Sequence, residues 1–241
     1  MGKTTSAINI GAYLAEAGKK VLLVDFDSQA NLSSGVGISK KNAKPGVYEL
    51  LSGLATLEEA IKKGPAERLS VIPADKDLAG AAVELIEQEK RDFFLKNALI
   101  PAKKRYDYIL IDCPPSLGVL TLNGITAADS ILIPMQCEYF AMEGLTHLLE
   151  TVKRIQKSIN PRLKIEGIFF TMYDPRTRLA QQVVKEVSSY FTNKVFSTIV
   201  PRNVRLSEAP SHGLPISIYD PASSGARAYK SLAQEVLSRG G

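Results

Sequence analysis

Hydrophobic and polar positions fall in blocks of two kinds along the chain. The first block places Ile8, Ile10, Ala12, Leu14 and Ala15 in a largely apolar helical pattern that stops at Gly18, a residue suited to ending a helix. "KKVLLVDFD" follows at once, an apolar run of strand length closed by carboxylates. The same alternation continues to the end of the chain. Strands are expected at Val21–Asp25, Leu69–Pro73, Tyr108–Ile111, Ser130–Pro134, Ile165–Thr171 and Val195–Val200. Helices are expected between and after them, at Leu78–Leu95, Leu120–Ala128, Gly144–Ser158, Ala180–Phe191 and Ser224–Ser238.

Several of these strands are apolar nearly throughout, as strands covered on both faces are. Alternating strands and helices of this kind predict an α/β fold: a doubly wound, mostly parallel sheet with helices on both faces, in a single domain over 1–241. The polar stretch 28–44 reads as a mobile surface loop, and Pro201–Pro215 as a second loop. There is no internal repeat and no low-complexity linker.

The chain opens "MGKTT", the end of the phosphate-binding pattern G-x-x-x-x-G-K-[ST], with Met1 at the fourth x. A Thr at a helix start is often only a cap. Here a helix and then a buried strand follow, the order expected after a phosphate loop in a βαβ unit. In this setting the Lys3 ammonium would neutralise phosphate charge, and the amides of Gly2 to Thr5 would present the helix N-terminus to phosphate oxygens. Two strands end in carboxylates: "VDFDSQAN" supplies Asp25 and Asp27, and "LIDCPPS" supplies Asp112. In an open sheet, ligands bind beyond these carboxyl ends. Asp112 suits a Mg²⁺-holding position, with the Thr4 hydroxyl as a second ligand. Asp27 is placed to orient a water toward a γ-phosphate, and Asp25 to serve structure or the metal's shell.

Composition and charge narrow the picture further. Two cysteines, Cys113 and Cys137, form no disulfide framework and no metal pattern, and with only two histidines a His-based metal site or triad is not expected. Buried thiols in a reducing cytoplasm are the reading preferred over a cluster shared between subunits. No apolar run approaches the roughly 18 residues of a membrane span. Net charge is +5, unevenly spread: 1–150 holds 16 Lys+Arg against 19 Asp+Glu, a balance of −3, and 151–241 holds 14 against 6, a balance of +8. Such asymmetry points toward a polyanionic partner as readily as to a solvated basic face.

Three stretches, "GKTTSAINIGAYLAEAGKKVLLVDFDSQANLSSGVG", "YDYILIDCPPSLGVLTLNGITAADSILIPMQCEYFAMEGL" and "VPRNVRLSEAPSHGLPI", resemble the ParA/Soj branch of the deviant Walker-A ATPases, in order and over essentially the whole chain. The resemblance implies a chromosome- or plasmid-segregating ATPase that uses ATP and Mg²⁺. It implies an ATP-dependent homodimer that binds double-stranded DNA without sequence preference on the nucleoid, and hydrolysis stimulated by a ParB/Spo0J-type partner. A replication initiator is a further partner in the Soj branch. By the resemblance Lys3, Thr4 and Thr5 match the family's K-G-G-x-G-K-T-T, Asp27 its catalytic aspartate and Asp112 its Walker-B aspartate. Arg176 and Arg205 match DNA-binding positions, and Pro201 and Asn203 lie in the loop near the adenine. The family's first strand and "KGG", with its signature lysine, have no counterpart in the sequence, so impaired ATPase activity and open strand edges are expected. A membrane-cycling relative of the MinD kind would need a basic amphipathic C-terminal helix. Here Tyr229, Leu232, Ala233, Val236 and Leu237 are spaced for core packing instead.

Overall fold

The computed structural model describes residues 2–116 and 118–239. Its strands are β1 (Val21–Asp25), β2 (Lys62–Lys63), β3 (Leu69–Ile72), β4 (Tyr108–Asp112), β5 (Ser130–Gln136) and β6 (Lys164–Thr171). Its α-helices are α1 (Lys3–Glu16), α2 (Asn31–Gly35), α3 (Val47–Leu51), α4 (Leu57–Ala60), α5 (Leu78–Glu84), α6 (Phe94–Ala98), α7 (Val119–Ala127), α8 (Ala141–Ser158), α9 (Arg178–Tyr190), α10 (Val204–Glu208), α11 (Ile216–Tyr219) and α12 (Ser224–Arg239).

The expected parallel sheet is present, in two pieces. One runs β2-β3-β1-β4, parallel except for the short antiparallel edge strand β2; the other is the parallel pair β5-β6. β4 and β5 face each other across a cleft of about 1910 Å³, walled by Ile109, Leu110 and Ile111 on one side and Ile131, Leu132 and Ile133 on the other. Among the described residues, no strand pairs with the facing edges of β4 and β5. Burial follows from this: β1, paired on both sides, is buried at all five positions, whereas β4 is only half-buried up to Asp112.

The central helix α1 packs against β1 and the C-terminal helix. Tyr229, Leu232, Ala233 and Val236 of α12 are buried against α1 residues such as Ile10 and Leu14. Each large side chain buried this way contributes roughly 1.5–3 kcal/mol. The Tyr229 hydroxyl and Ser6 Oγ satisfy each other at 2.9 Å. The last helix is thus a core element, and among the described residues no helix is long and apolar enough to cross a membrane.

Four expectations are corrected. Val195–Val200 is not a regular strand; it meets β6 at its two ends only, through the isolated bridge of Ile168 to Val195 with the Phe196 amide on the Ile168 carbonyl at 2.8 Å, and through the Val200 amide on the Phe170 carbonyl at 2.8 Å. The Glu235 carboxylate takes the amides of Ser197 and Thr198 at 2.9 and 2.8 Å, which draws the middle of the segment off the ladder. The helix expected over Leu78–Leu95 breaks into α5, two 3₁₀ turns and α6, because Gln88 is extended and Lys90 left-handed, with φ 57°. Finally, 28–44 is not loop throughout: it contains α2, whose Leu32 and Ser33 are buried. Pro201–Pro215 likewise contains α10 and a 3₁₀ turn at Ala209–His212.

Candidate nucleotide site

The glycine that precedes α1 makes the sharp entry the motif requires. Gly2 has φ 75°, the left-handed region that glycine tolerates, and its carbonyl receives the Ser6 amide at 2.9 Å. The amides before Ser6 are left facing outward at the positive end of a 14-residue helix. They open onto a cavity of about 350 Å³ that Gly2, Lys3, Thr4 and Thr5 line on one side and Asp27 and Asn31 on another.

Lys3 lies between this cavity and the cleft. Burial lowers its pKa, while the charges of Asp112, Cys113 and Asp27 work in the opposite direction. Asp112, at the end of β4, is buried and accepts a hydrogen bond from the Thr4 side chain. Desolvation raises its pKa to about 7 in spite of that bond, with Asp25 and Asp27 pushing the same way and Lys3 opposing. Thr4 and Asp112 are therefore together as the sequence leads one to expect: one hydroxyl, one carboxylate and a lysine beside a row of amides. That donor set fits a divalent ion that receives most of its ligands from phosphate and water. Among the described residues no group of three or more His, Cys, Asp or Glu could hold a metal unaided.

Asp25 and Asp27 take different directions. Extension persists only to Phe26, whose amide donates to the Asp112 carbonyl at 2.9 Å. The chain then turns, with the Ala30 amide on the Asp27 carbonyl and the Gln29 amide on Asp27 Oδ1 at 3.0 Å. The turn brings Asp27 to the cavity. Asp25 stays fully buried, with a pKa raised by desolvation to about 6 even though Ser33 and the Asp27 amide bond to it.

The remaining sequence-level candidates lie farther along the rim. Pro201 bridges to Tyr173, and Asn203 caps α10 by accepting the Leu206 amide at 3.3 Å while its Nδ2 donates to Ser224 Oγ at 2.7 Å. Neither lines the 350 Å³ cavity. Arg176 and Arg205 are exposed but not uncommitted. Arg176 grips Asp174 with Nε at 2.9 Å and Nη2 at 2.7 Å, and Arg205 pairs with Glu208 at 2.8 Å and Asp220 at 3.3 Å. Three further cavity residues, Asn31, Pro115 and Met172, sit in the stretches that follow strand ends but carry no chemistry that marks them in the sequence. Burial pushes the thiols of Cys113 and Cys137 up to about 12 and about 11, in keeping with packed rather than reactive cysteines.

A family profile described as an AAA domain matches residues 1–165. The chain is 60% identical over 241 residues to the chromosome-partitioning ATPase Soj of Treponema pallidum, covering all of this chain and 94% of that protein. It is 54% identical over 240 residues to the sporulation initiation inhibitor protein Soj of Bacillus subtilis, covering 100% and 95%. Among solved structures, one of a Mycobacterium smegmatis protein described as cobyrinic acid a,c-diamide synthase, with bound ATP analog and magnesium, superposes with a TM-score of 0.84 at 36% identity, covering 98% of this chain and 89% of that one. A glycine-led helix facing strand-end aspartates is thus joined to full-length likeness, and the chain belongs to the Soj/ParA family of chromosome-partitioning ATPases.

Proposed function

We propose that this chain binds Mg²⁺-ATP in the cavity at the α1 N-terminus and hydrolyses it to ADP and phosphate, as the switch of a DNA-partitioning machine. The observation that carries the reading is the convergence of Lys3, the α1 amides and Asp27 on one cavity, with Thr4 hydrogen-bonded to Asp112 behind it. Lys3 and the amides of Gly2 to Thr5 bind phosphate oxygens and hold the nucleotide. Asp27 accepts a hydrogen bond from the attacking water and orients it toward the γ-phosphorus, taking no part in holding the phosphates. Thr4 and Asp112 would hold the metal, which would neutralise charge on the phosphate oxygens. Pro201 and Asn203 belong to the loop facing the base.

Family membership supports the remaining steps of the reading. ATP binding closes two copies into a dimer, the dimer holds double-stranded DNA without sequence preference through Arg176 and Arg205, and a ParB-type partner stimulates hydrolysis and release. The +8 balance of 151–241 supports the DNA step. The test is phosphate release from Mg²⁺-ATP with and without random-sequence DNA and the cognate ParB-type protein, with light scattering to follow mass. Hydrolysis that depends on magnesium and a doubling of mass with ATP are expected. A monomer that binds no nucleotide would overturn the reading.

A further inference from the structure

Asp25 is a fully buried carboxylate that the proposed reaction leaves without a task. It is absent from the cavity wall, and the acidic side chains that act on Lys3 are Asp112, Cys113 and Asp27, not Asp25. Its oxygens are turned to the protein. Oδ2 accepts the Ser33 backbone amide at 2.8 Å and the Ser33 hydroxyl at 2.7 Å, and Oδ1 accepts the Asp27 amide at 3.3 Å. The Ser33 hydroxyl oxygen in turn accepts the Ala74 amide at 3.0 Å, just past the end of β3. Ser33 is 2% exposed.

These bonds join three pieces of backbone: the end of β1, the start of α2 and the segment after β3. The turn carrying Asp27 lies between the two points that Asp25 grips. A buried carboxylate is costly to hold unless its lone pairs are met, so the cluster favours one arrangement of the turn over looser ones. We propose that Asp25 and Ser33 are a positioning pair: they fix the 26–32 turn, and through it set where the Asp27 carboxylate stands over the cavity, without touching the nucleotide themselves. The inference rests on the hydrolytic role proposed for Asp27. It also gives Ser33, inside a stretch that reads as polar loop, a defined task. A shift of about 1 Å in a water-orienting group is enough to cost on the order of 10²-fold in rate.

The experiment compares Ser33→Ala, Ser33→Thr, Asp25→Asn and Asp27→Ala with the parent chain by two readouts. The first is backbone hydrogen exchange without nucleotide. In Ser33→Ala and Asp25→Asn the amides of 26–33 and Ala74 should exchange about 10-fold faster, with α1 and α12 unchanged. Ser33→Thr, which keeps the hydroxyl, should stay near the parent. The second is kinetic: kcat should fall about 10-fold or more in Ser33→Ala and Asp25→Asn, while the Kd for ATP stays within about twofold, because the pair acts on the water-orienting group alone. Unchanged exchange in both variants overturns the proposal. So does loss of ATP affinity in step with kcat, which would put Asp25 on the nucleotide. If instead the parent and Asp27→Ala hydrolyse ATP at one rate, the role of Asp27 fails, and exchange alone decides whether the pair holds the turn.

Discussion

Asp25 and Asp112 are register partners at the carboxyl ends of β1 and β4, so two buried carboxylates leave adjacent parallel strands side by side. Lys3 and the hydrogen bonds from Thr4 and Ser33 offset their charge only in part. Both pKa values are raised, to about 6 and about 7, each first of all by desolvation and then by neighbouring carboxylates. An acid with a raised folded-state pKa binds its proton more tightly folded than unfolded, so its burial costs least at low pH. The cost grows as pH climbs from about 4 to about 7 and is complete above that. Asp112→Asn keeps the shape and an acceptor for Thr4 but removes the charge. At pH 8 the nucleotide-free variant should be more stable than the parent by about 4 kcal/mol, and near pH 4 almost equal to it. Urea unfolding across that range measures the difference, and a gap that widens toward acid would contradict the assignment.

Lys3 and Asp27 share the cavity wall but are assigned different work. Lys3→Ala should abolish nucleotide binding, because it removes the only ammonium facing the phosphate position among the residues lining the cavity. Asp27→Ala should bind ATP normally, hydrolyse it at least about 10²-fold more slowly and accumulate as the ATP-bound dimer. Calorimetry for binding and single-turnover phosphate release for chemistry separate the two. Equal hydrolysis by Asp27→Ala and the parent would move the water-orienting role elsewhere.

What could be read from the sequence depended on how local its cause is. The Gly-Lys-Thr helix start and the strand-ending aspartates are legible because a few consecutive residues specify them. The alternation of apolar runs with helical patterns is enough to order β1, β3, β4, β5 and β6. Features set by distant partners were not legible. Glu235 is 38 residues from Ser197, whose amide it takes from the β6 ladder. Ser33 looks like loop because its partners, Asp25 and Ala74, are supplied by two separate strand ends. Arg176 and Arg205 read as positive charge although their first partners, Asp174 and Glu208, are only two and three residues away; a side-chain pairing across a loop or short helix leaves no periodic signal, and only Asp220 beside Arg205 is brought by the fold.

The cleft between β4 and β5 makes a prediction about stability. Its middle is aliphatic, with Leu110 on β4 and Leu132 on β5, and among the described residues no strand pairs with the edges that face it. A designed extension ahead of Gly2, carrying a five-residue Val/Ile strand and a glycine-rich loop, should enter as a parallel strand joined to α1. Burying three or four such side chains at roughly 1.5–3 kcal/mol each should raise the Tm by on the order of 10 °C or more and lower aggregation. Thermal unfolding by circular dichroism reads the first and light scattering the second. An extension of the same length made of Gly and Ser controls for simple lengthening. If both extensions behave alike, the cleft does not accept a strand.

The ion pairs of the two arginines change what is expected of DNA binding. Arg176 is largely exposed and held bidentately by Asp174, whose pKa it lowers to about 2. Near neutral pH that carboxylate is therefore ionised beside any approaching phosphate. An exposed pair contributes little to stability, so DNA can displace the carboxylate, but the contact then forms against a residual negative charge. If each copy supplies Arg176 and Arg205, a dimer makes about four phosphate contacts, giving a log–log salt slope of roughly −3.6. Raising salt from 50 to 200 mM should then weaken binding on the order of 10²-fold, against about 10-fold for a monomer with half the contacts. Changing both arginines to Glu should abolish retention on random-sequence DNA and leave ATP binding intact. Asp174→Asn should do the opposite, strengthening DNA binding several-fold because it removes the competing carboxylate and keeps the guanidinium. Titration of labelled random-sequence DNA at several salt concentrations, with the ATP-bound Asp27→Ala protein as background, measures both variants and their parent side by side. Should Asp174→Asn bind no better than its parent while the double Glu variant still binds with the same slope, phosphate neutralisation lies on another face of the 151–241 half.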